Sequence, residues 1–231
     1  MDKKKRVGPP PSTTKGDAAE GLVRVALSAV PMVGGPAAEL FSLVVDPALH
    51  RRYHHWLEQL GEAVDDIQAH GIDIRTLEHN EPFVTAVLNA TSAAARTHEE
   101  EKLVALRNAI ANVARGLEPD EHMQMMFLTF VDEFTALHLR ILAFFRDPGA
   151  WFDKAAIKRP SYYMGGRGQV LEDGMPEMRG RKDVYMQAAS DLGARGLMAA
   201  SLSGMVSEQG MWQSITTPLG NRFLDFIGKR E

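Results

Sequence analysis

Between Leu22 and Val45 the chain carries two charges in 24 residues, Arg24 and Glu39, and this run is broken at Pro31-Met32-Val33-Gly34-Gly35-Pro36. Whether it enters a membrane or packs into a water-soluble body constrains the fold more than any other stretch. A membrane-spanning helix needs about 20 apolar residues to cross about 30 Å. The two halves, 22–33 and 36–45, reach only about 18 and 15 Å at 1.5 Å per residue. Proline on both sides of a glycine pair argues against one continuous helix. Glu20, Arg24 and Ser28 recur at helical spacing, as do Glu39, Ser42 and Asp46, so each half carries its own polar stripe. The expectation is a helical hairpin over 18–45 turning at Pro31, Gly34, Gly35 and Pro36, with Phe41 on its second arm. Membrane contact without an integral span stays open as an alternative.

Helix signals dominate 17–146. Asp46-Pro47 opens a helix to about Ala69, which Gly71 ends. Asn80-Glu81-Pro82 opens another, Thr97 with Glu100 has the spacing of a capping box, and Gly116 closes the helix that follows. Pro119-Asp120 precedes a segment, Glu121 to Phe145, whose apolar residues recur at intervals of mostly three and four. It reads as one long core-facing helix. The predicted fold class is mainly α: a helical bundle over 17–146, then a small winged-helix-like α+β domain over 181–231. Residues 147–180 are rich in Gly and Pro and read as a linker or long loop, and 1–16 as a disordered basic arm. The winged-helix likeness rests on Asp191-Leu192-Gly193-Ala194-Arg195-Gly196-Leu197 and on Thr217-Pro218-Leu219-Gly220, with a hairpin expected from 197–203 to 211–215.

Charge is unevenly shared. Residues 1–15 sum to +4, 16–150 to −10 and 151–231 to +2. An acidic body repels phosphate, so nucleic acid would meet the basic arm or the C-terminal domain, where Lys182, Gln187, Ser190 and Arg195 are the candidate DNA contacts. The chain has no cysteine, which removes disulfides, thiol nucleophiles and Cys-based zinc sites and fits a cytoplasmic location. The basic run near the start is parted from the apolar segment by polar residues, the wrong layout for a secretory signal.

Few residue patterns carry chemistry. His50, His54 and Glu58 share a helix face at spacing that could hold a divalent metal, but Arg51 and Arg52 oppose a bound cation, so an exposed polar face is the better reading. Gly165-Gly166-Arg167-Gly168 reads as a loop with no strand before it, a weak phosphate candidate. No cofactor is expected.

Arg107-Asn108-Ala109-Ile110-Ala111-Asn112 resembles the Arg-Asn-x-x-x-His helix of HEPN-type ribonucleases, a likeness that implies a helical bundle cleaving RNA with the Arg and His. Here Asn112 stands where that family has His. An amide cannot act as a general acid or base near neutral pH, so a degenerate bundle is the reading. In the competing structural reading, Arg107 and Asn108 brace neighbouring helices. Residues 22–150 also resemble a family of bacterial helical proteins without assigned activity. The phrases that carry this likeness are Val30–Pro36, Glu101-Lys102-Leu103-x-x-Leu106-Arg107-Asn108-Ala109 and Asp132-Glu133-Phe134-Thr135-x-x-His138-Leu139. The expected function is a non-enzymatic interaction or regulatory protein. A protein partner would bind the bundle, and a partner or DNA the C-terminal domain. A membrane-active effector using 22–45, a degenerate ribonuclease, and homo-oligomerisation are the alternatives.

Overall fold

A computed structural model describes residues 41–116, 119–199 and 201–229. Pro31, Gly34, Gly35 and Pro36, and with them most of the expected hairpin, lie outside the described residues. The chain divides into two compact units, 1–48 and 49–231. Of the first, the described part is a π-helical turn, Phe41–Val45, and the opening residues of helix α1 (Asp46–Ala69).

In the second unit α1 continues to a left-handed Gly71, φ +79°, where a side chain would be strained. A 3₁₀ turn (Ile74–Leu77) leads to α2 (Glu81–Arg96), capped as expected by Asn80, whose side chain accepts from the Phe83 N–H at 3.1 Å. α3 (Glu100–Ala114) follows, then α4 (Glu121–Glu133), capped by Asp120, and α5 (Ala136–Arg146). Beyond these come α6 (Pro148–Lys154), β1 (Met164–Gly166), α7 (Arg167–Gly174), a 3₁₀ turn (Pro176–Met178), α8 (Lys182–Ala194), β2 (Met205–Ser207), α9 (Glu208–Trp212) and α10 (Pro218–Ile227). The protein is mainly α-helical, with one two-stranded antiparallel ribbon among the described residues. No helix among those residues is long and apolar enough to cross a membrane.

Three sequence expectations need correcting. Glu121 to Phe145 is two helices, not one. At Phe134 the backbone turns extended (ψ 149°), and the Thr135 N–H donates to His138 Nδ1 at 3.2 Å. The apolar stripe continues through Phe134 and Leu137 across the break, with no Gly or Pro to mark it, so periodicity alone shows one helix. Thr97 and Glu100 form no capping box either. Thr97 Oγ1 accepts from the Glu99 N–H at 3.1 Å, while the Glu100 carboxylate turns to His55 and Gln59 on α1. Glu99 is drawn to the start of α5, where its carboxylate accepts from the Ala136 N–H at 3.3 Å. A negative group there offsets the positive end of the helix dipole.

The third correction concerns 147–180. Instead of a linker it holds α6, β1, α7 and a 3₁₀ turn, and it buries Phe152, Val170, Leu171 and Met175. Elements of three to eight residues are too short to show a period. β2 pairs with β1 from this segment (Met164↔Ser207, Gly165↔Val206, Gly166↔Met205), so the small C-terminal α+β part draws one strand from upstream. Among the described residues of the expected hairpin region, one bridge forms, Met198↔Thr216.

One aromatic core unites this unit. Phe127, Phe130, Phe134, Phe223 and Phe226 lie with ring centroids 5.3–6.5 Å apart, bringing α4 against α10. Each fully buried Phe contributes about 1.5–3 kcal/mol. α10 packs on α3, α4 and α5, and α8 on α5. Where α10 begins, a Cβ on Gly220 would fall 2.2 Å from the Leu197 carbonyl oxygen, so only glycine permits this approach. Thr217 caps the same end, its hydroxyl accepting from the Gly220 N–H at 3.0 Å and donating to the Gly196 carbonyl at 2.6 Å.

Candidate functional site

The residues that carry the ribonuclease likeness meet at the far end of α10. A helix leaves its last four carbonyls without intrahelical donors. Asn108 and Asn112, one turn apart on α3, supply donors there. Asn112 Nδ2 donates to the carbonyls of Phe226 (2.8 Å), Gly228 (3.1 Å) and Asp225 (3.4 Å), and Asn108 Nδ2 to that of Ile227 (3.0 Å). The carbonyl acceptors around Nδ2, and for Asn108 the Arg107 donor on Oδ1, fix which way each amide points. Asn112 is 2% exposed. Arg107 holds the other side of the cleft. Its guanidinium donates to Gln59 Oε1 at 3.1 Å and to Asn108 Oδ1 at 3.3–3.4 Å, and it pairs with Glu62 on α1.

Arg107, Asn108 and Asn112 therefore form a clamp that joins α1, α3 and the end of α10. With Ala63, Asp66, Ala111 and Lys229 they line a cleft of about 90 Å³, room for a few water molecules or a small polar group. Clefts that bury drug-sized ligands run several times larger. The amides satisfy backbone carbonyls and have no proton to exchange near neutral pH, so what the arrangement does is hold a helix end.

The other predicted residues are dispersed. Lys182, Gln187 and Ser190 are exposed on α8, with Gln187 bonded to Asp191 at 2.8 Å. Arg195 turns away from them, pairs with Glu133 and lies over the Phe130 ring at 5.7 Å. His50 and His54 are exposed, while Glu58 faces His55 at 3.3 Å. Among the described residues no three His, Asp or Glu side chains converge as a metal site. Phe41 opens the π-helical turn.

Gly165-Gly166-Arg167-Gly168 is a strand-to-helix junction and not the loop expected, because Gly165 and Gly166 end β1 and Arg167 and Gly168 begin α7. Its glycines admit protein atoms. A Cβ on Gly168 would lie 2.9 Å from the Tyr185 hydroxyl, and one on Gly165 2.8 Å from Gln169 Oε1 and 3.0 Å from Met211 Cε. The first-turn N–H of Gly168 is bonded to the Leu202 carbonyl at 3.2 Å. The run serves packing.

Sequence reasoning missed several polar residues that tertiary contacts select. Lys102, 7% exposed, donates from Nζ to the Asp132 carbonyl at 2.9 Å. Loss of solvent lowers its pKa, and the nearby Glu99 and Asp132 oppose the shift. Tyr162 donates to Asp173 at 2.7 Å and Tyr185 to Glu172 at 2.8 Å. Burial first and the carboxylate second raise both phenols, Tyr185 to about 12. His138 accepts at Nδ1, which leaves its proton on Nε2, 3.4 Å from Asp191 Oδ2. The spacing Thr135-x-x-His138 was the one local signal of these contacts.

Exposed large apolar side chains occur at Leu43 and Val44, at Leu88 on α2, and at and just before the β1–β2 ribbon. Tyr163 is 90%, Met164 53% and Met205 74% exposed, while Val206 on the opposite face packs against the core. Ser207, opposite Met164, also lines an open groove of about 660 Å³ with Gln209, Gly210, Trp212 and Gln213. Comparison with family models, curated proteins and solved structures finds no match to this chain.

Proposed function

We propose that this is a non-enzymatic interaction and regulatory protein that binds a protein partner, with the helical bundle as its scaffold. The outer face of the ribbon is the observation that carries this reading. Met164 and Met205 share one solvent-exposed face, Tyr163 is exposed just before β1, and the ribbon continues to Ser207 on the rim of a groove with a Trp212 wall and glutamine donors and acceptors. Methionine adapts its shape to whatever it meets, and Tyr and Trp are enriched where proteins touch. The clamp formed by Arg107, Asn108 and Asn112 supports the same reading, because it accounts for the nuclease-like residues without chemistry.

A photo-crosslinking amino acid at position 163 tests it. Crosslinking to one product of discrete mass is expected, and Met164→Asp or Met205→Asp should abolish it with the helical circular dichroism unchanged. No product, or a product indifferent to both substitutions, would refute the assignment. DNA contact by a winged-helix-like C-terminal part is the second reading, supported by the exposure of Lys182, Gln187 and Ser190 on α8. A gel shift that weakens steeply with salt and with Lys182→Ala would favour it.

A further inference from the structure

The break between α4 and α5 is held from outside the two helices it separates. Phe134 has φ −76° and ψ 149°, and Thr135 has φ −83° and ψ 164°. Both φ values lie within about 20° of the helical one, so two ψ rotations separate the bent chain from a continuous helix. Neither residue is Gly or Pro, and the apolar stripe keeps its spacing through both. The local sequence therefore suits a straight helix as well as a bent one.

In a continuous helix the Ala136 N–H would donate to the Asp132 carbonyl, four residues back. Here the start of α3 takes both halves of that bond. The Glu99 carboxylate accepts from the Ala136 N–H at 3.3 Å, and Lys102 Nζ donates to the Asp132 carbonyl at 2.9 Å. Glu99 and Lys102 are three apart and so lie on one side of α3. One residue earlier, the Thr135 N–H, which a helix would direct to Val131, goes to His138 Nδ1 at 3.2 Å. Lys102 is buried, so this wedge is no loose surface pair.

The bend also marks a division of the packing. Contacts that cross from 49–133 to 136–231 include those of α5 with α3 and of α10 with α3 and α4. A second copy of the chain carries the same surfaces and can make the same contacts.

We propose that this protein forms a domain-swapped dimer with a second copy of itself, with Phe134 and Thr135 as the hinge. In the dimer 121–146 is one helix, about 39 Å long, and 136–231 of each copy docks on α3 and α4 of the other. The Ala136 N–H and the Asp132 carbonyl then bond each other, which frees Glu99 and Lys102 to pair. Contacts away from the hinge are common to monomer and dimer, so the hinge and the entropy of association set the balance. β1 and β2 both belong to 136–231, so the ribbon is intact in either form.

Size exclusion with light scattering, on the full chain refolded from urea at low and at high protein concentration, tests the swap. Wild type should be a 25.5 kDa monomer at low concentration and add a separable species of twice that mass at high concentration. Lys102→Met leaves the Asp132 carbonyl unserved only in the bent form, and should raise the dimerisation constant about tenfold or more. Thr135→Ala should raise it as well, by favouring helix at the hinge. Thr135→Pro fits the bent backbone, with extended Phe134 before it, and opposes a helix through the hinge. It should abolish the dimer and keep the monomer. A wild type that stays monomeric at high concentration would overturn the proposal. So would a dimer that ignores both Lys102→Met and Thr135→Ala, that survives Thr135→Pro, or that Met164→Asp dissolves.

Discussion

Replacing Asn112 by Asp changes one NH₂ to an oxygen and leaves the volume of the side chain almost untouched, so cavity effects drop out. At pH 7 it removes the donor that serves the carbonyls of Asp225, Phe226 and Gly228. Leaving such buried acceptors unserved costs about 2 kcal/mol. The new carboxylate, at a position 2% exposed, also faces the negative end of α10, worth about 2 kcal/mol more in partly buried geometry. The sum, about 4 kcal/mol, lowers Tm by about 8–16 °C for a unit of this size. Asn112→Ala should lose about 2 kcal/mol plus a small cavity term, because it lacks the charge. Urea unfolding of both variants, with m unchanged, measures the two contributions separately. The pH dependence follows from the same geometry. Burial and the carbonyls raise the folded-state pKa of the introduced Asp, so its penalty is full at neutral pH and shrinks as pH falls toward that value, where the protonated acid can donate. If Asn112→Asp stays within about 0.5 kcal/mol of wild type, or costs no more than Ala, the clamp is not what holds α10.

Ala156, with φ 53°, occupies the left-handed position after α6, and the Ile157 N–H closes the turn onto the Phe152 carbonyl at 3.0 Å. Ala156→Gly should therefore stabilise by about 0.5–1 kcal/mol, raising Tm by a few degrees in a thermal melt, despite the added freedom of the unfolded chain. Gly220→Ala would drive a methyl into the Leu197 carbonyl; a loss of about 3 kcal/mol or more is expected in urea unfolding. Tyr185 keeps its proton to about pH 12 when folded, against about 10 unfolded. The stability it contributes is thus complete below pH 10 and lost between about 10 and 12. Absorbance titration at alkaline pH should show one late phenol fewer in Tyr185→Phe, and the variant's stability should fall less steeply over that window.

Local chemistry was legible wherever one residue type had a single job. Asn80, Asp120 and Thr217 cap helices from their own side chains, and Gly71 and Gly116 end helices at positive φ. The same local reading failed at Glu100, where an isolated helix would use its carboxylate at the helix start, but His55 and Gln59 on α1 compete for it. It failed at the glycines of 165–168, because much of what fills the space above them, beside the nearby Gln169, comes from Tyr185 and Met211, up to 46 residues away. The candidate site was half visible. Arg107, Asn108 and Asn112 stood out as a pattern, but the partners of the two asparagines at 225–228 are more than 110 residues distant, those of Arg107 on α1 more than 40, and no local signal links them.

Composition and period alone determined a mainly helical chain, the positions of most helix ends, and the absence of cysteine chemistry, because each depends on neighbours within one or two turns. Tertiary structure decided the rest. It split the 121–145 stripe at Thr135 and gave 147–180 a place in the core. It turned a ribonuclease-like phrase into the clamp on a helix end. The reason is physical: a carbonyl left open at the end of α10 and an amide on α3 gain nothing apart, and acquire a role only when packing of the Phe223 and Phe226 side chains brings them within 3 Å.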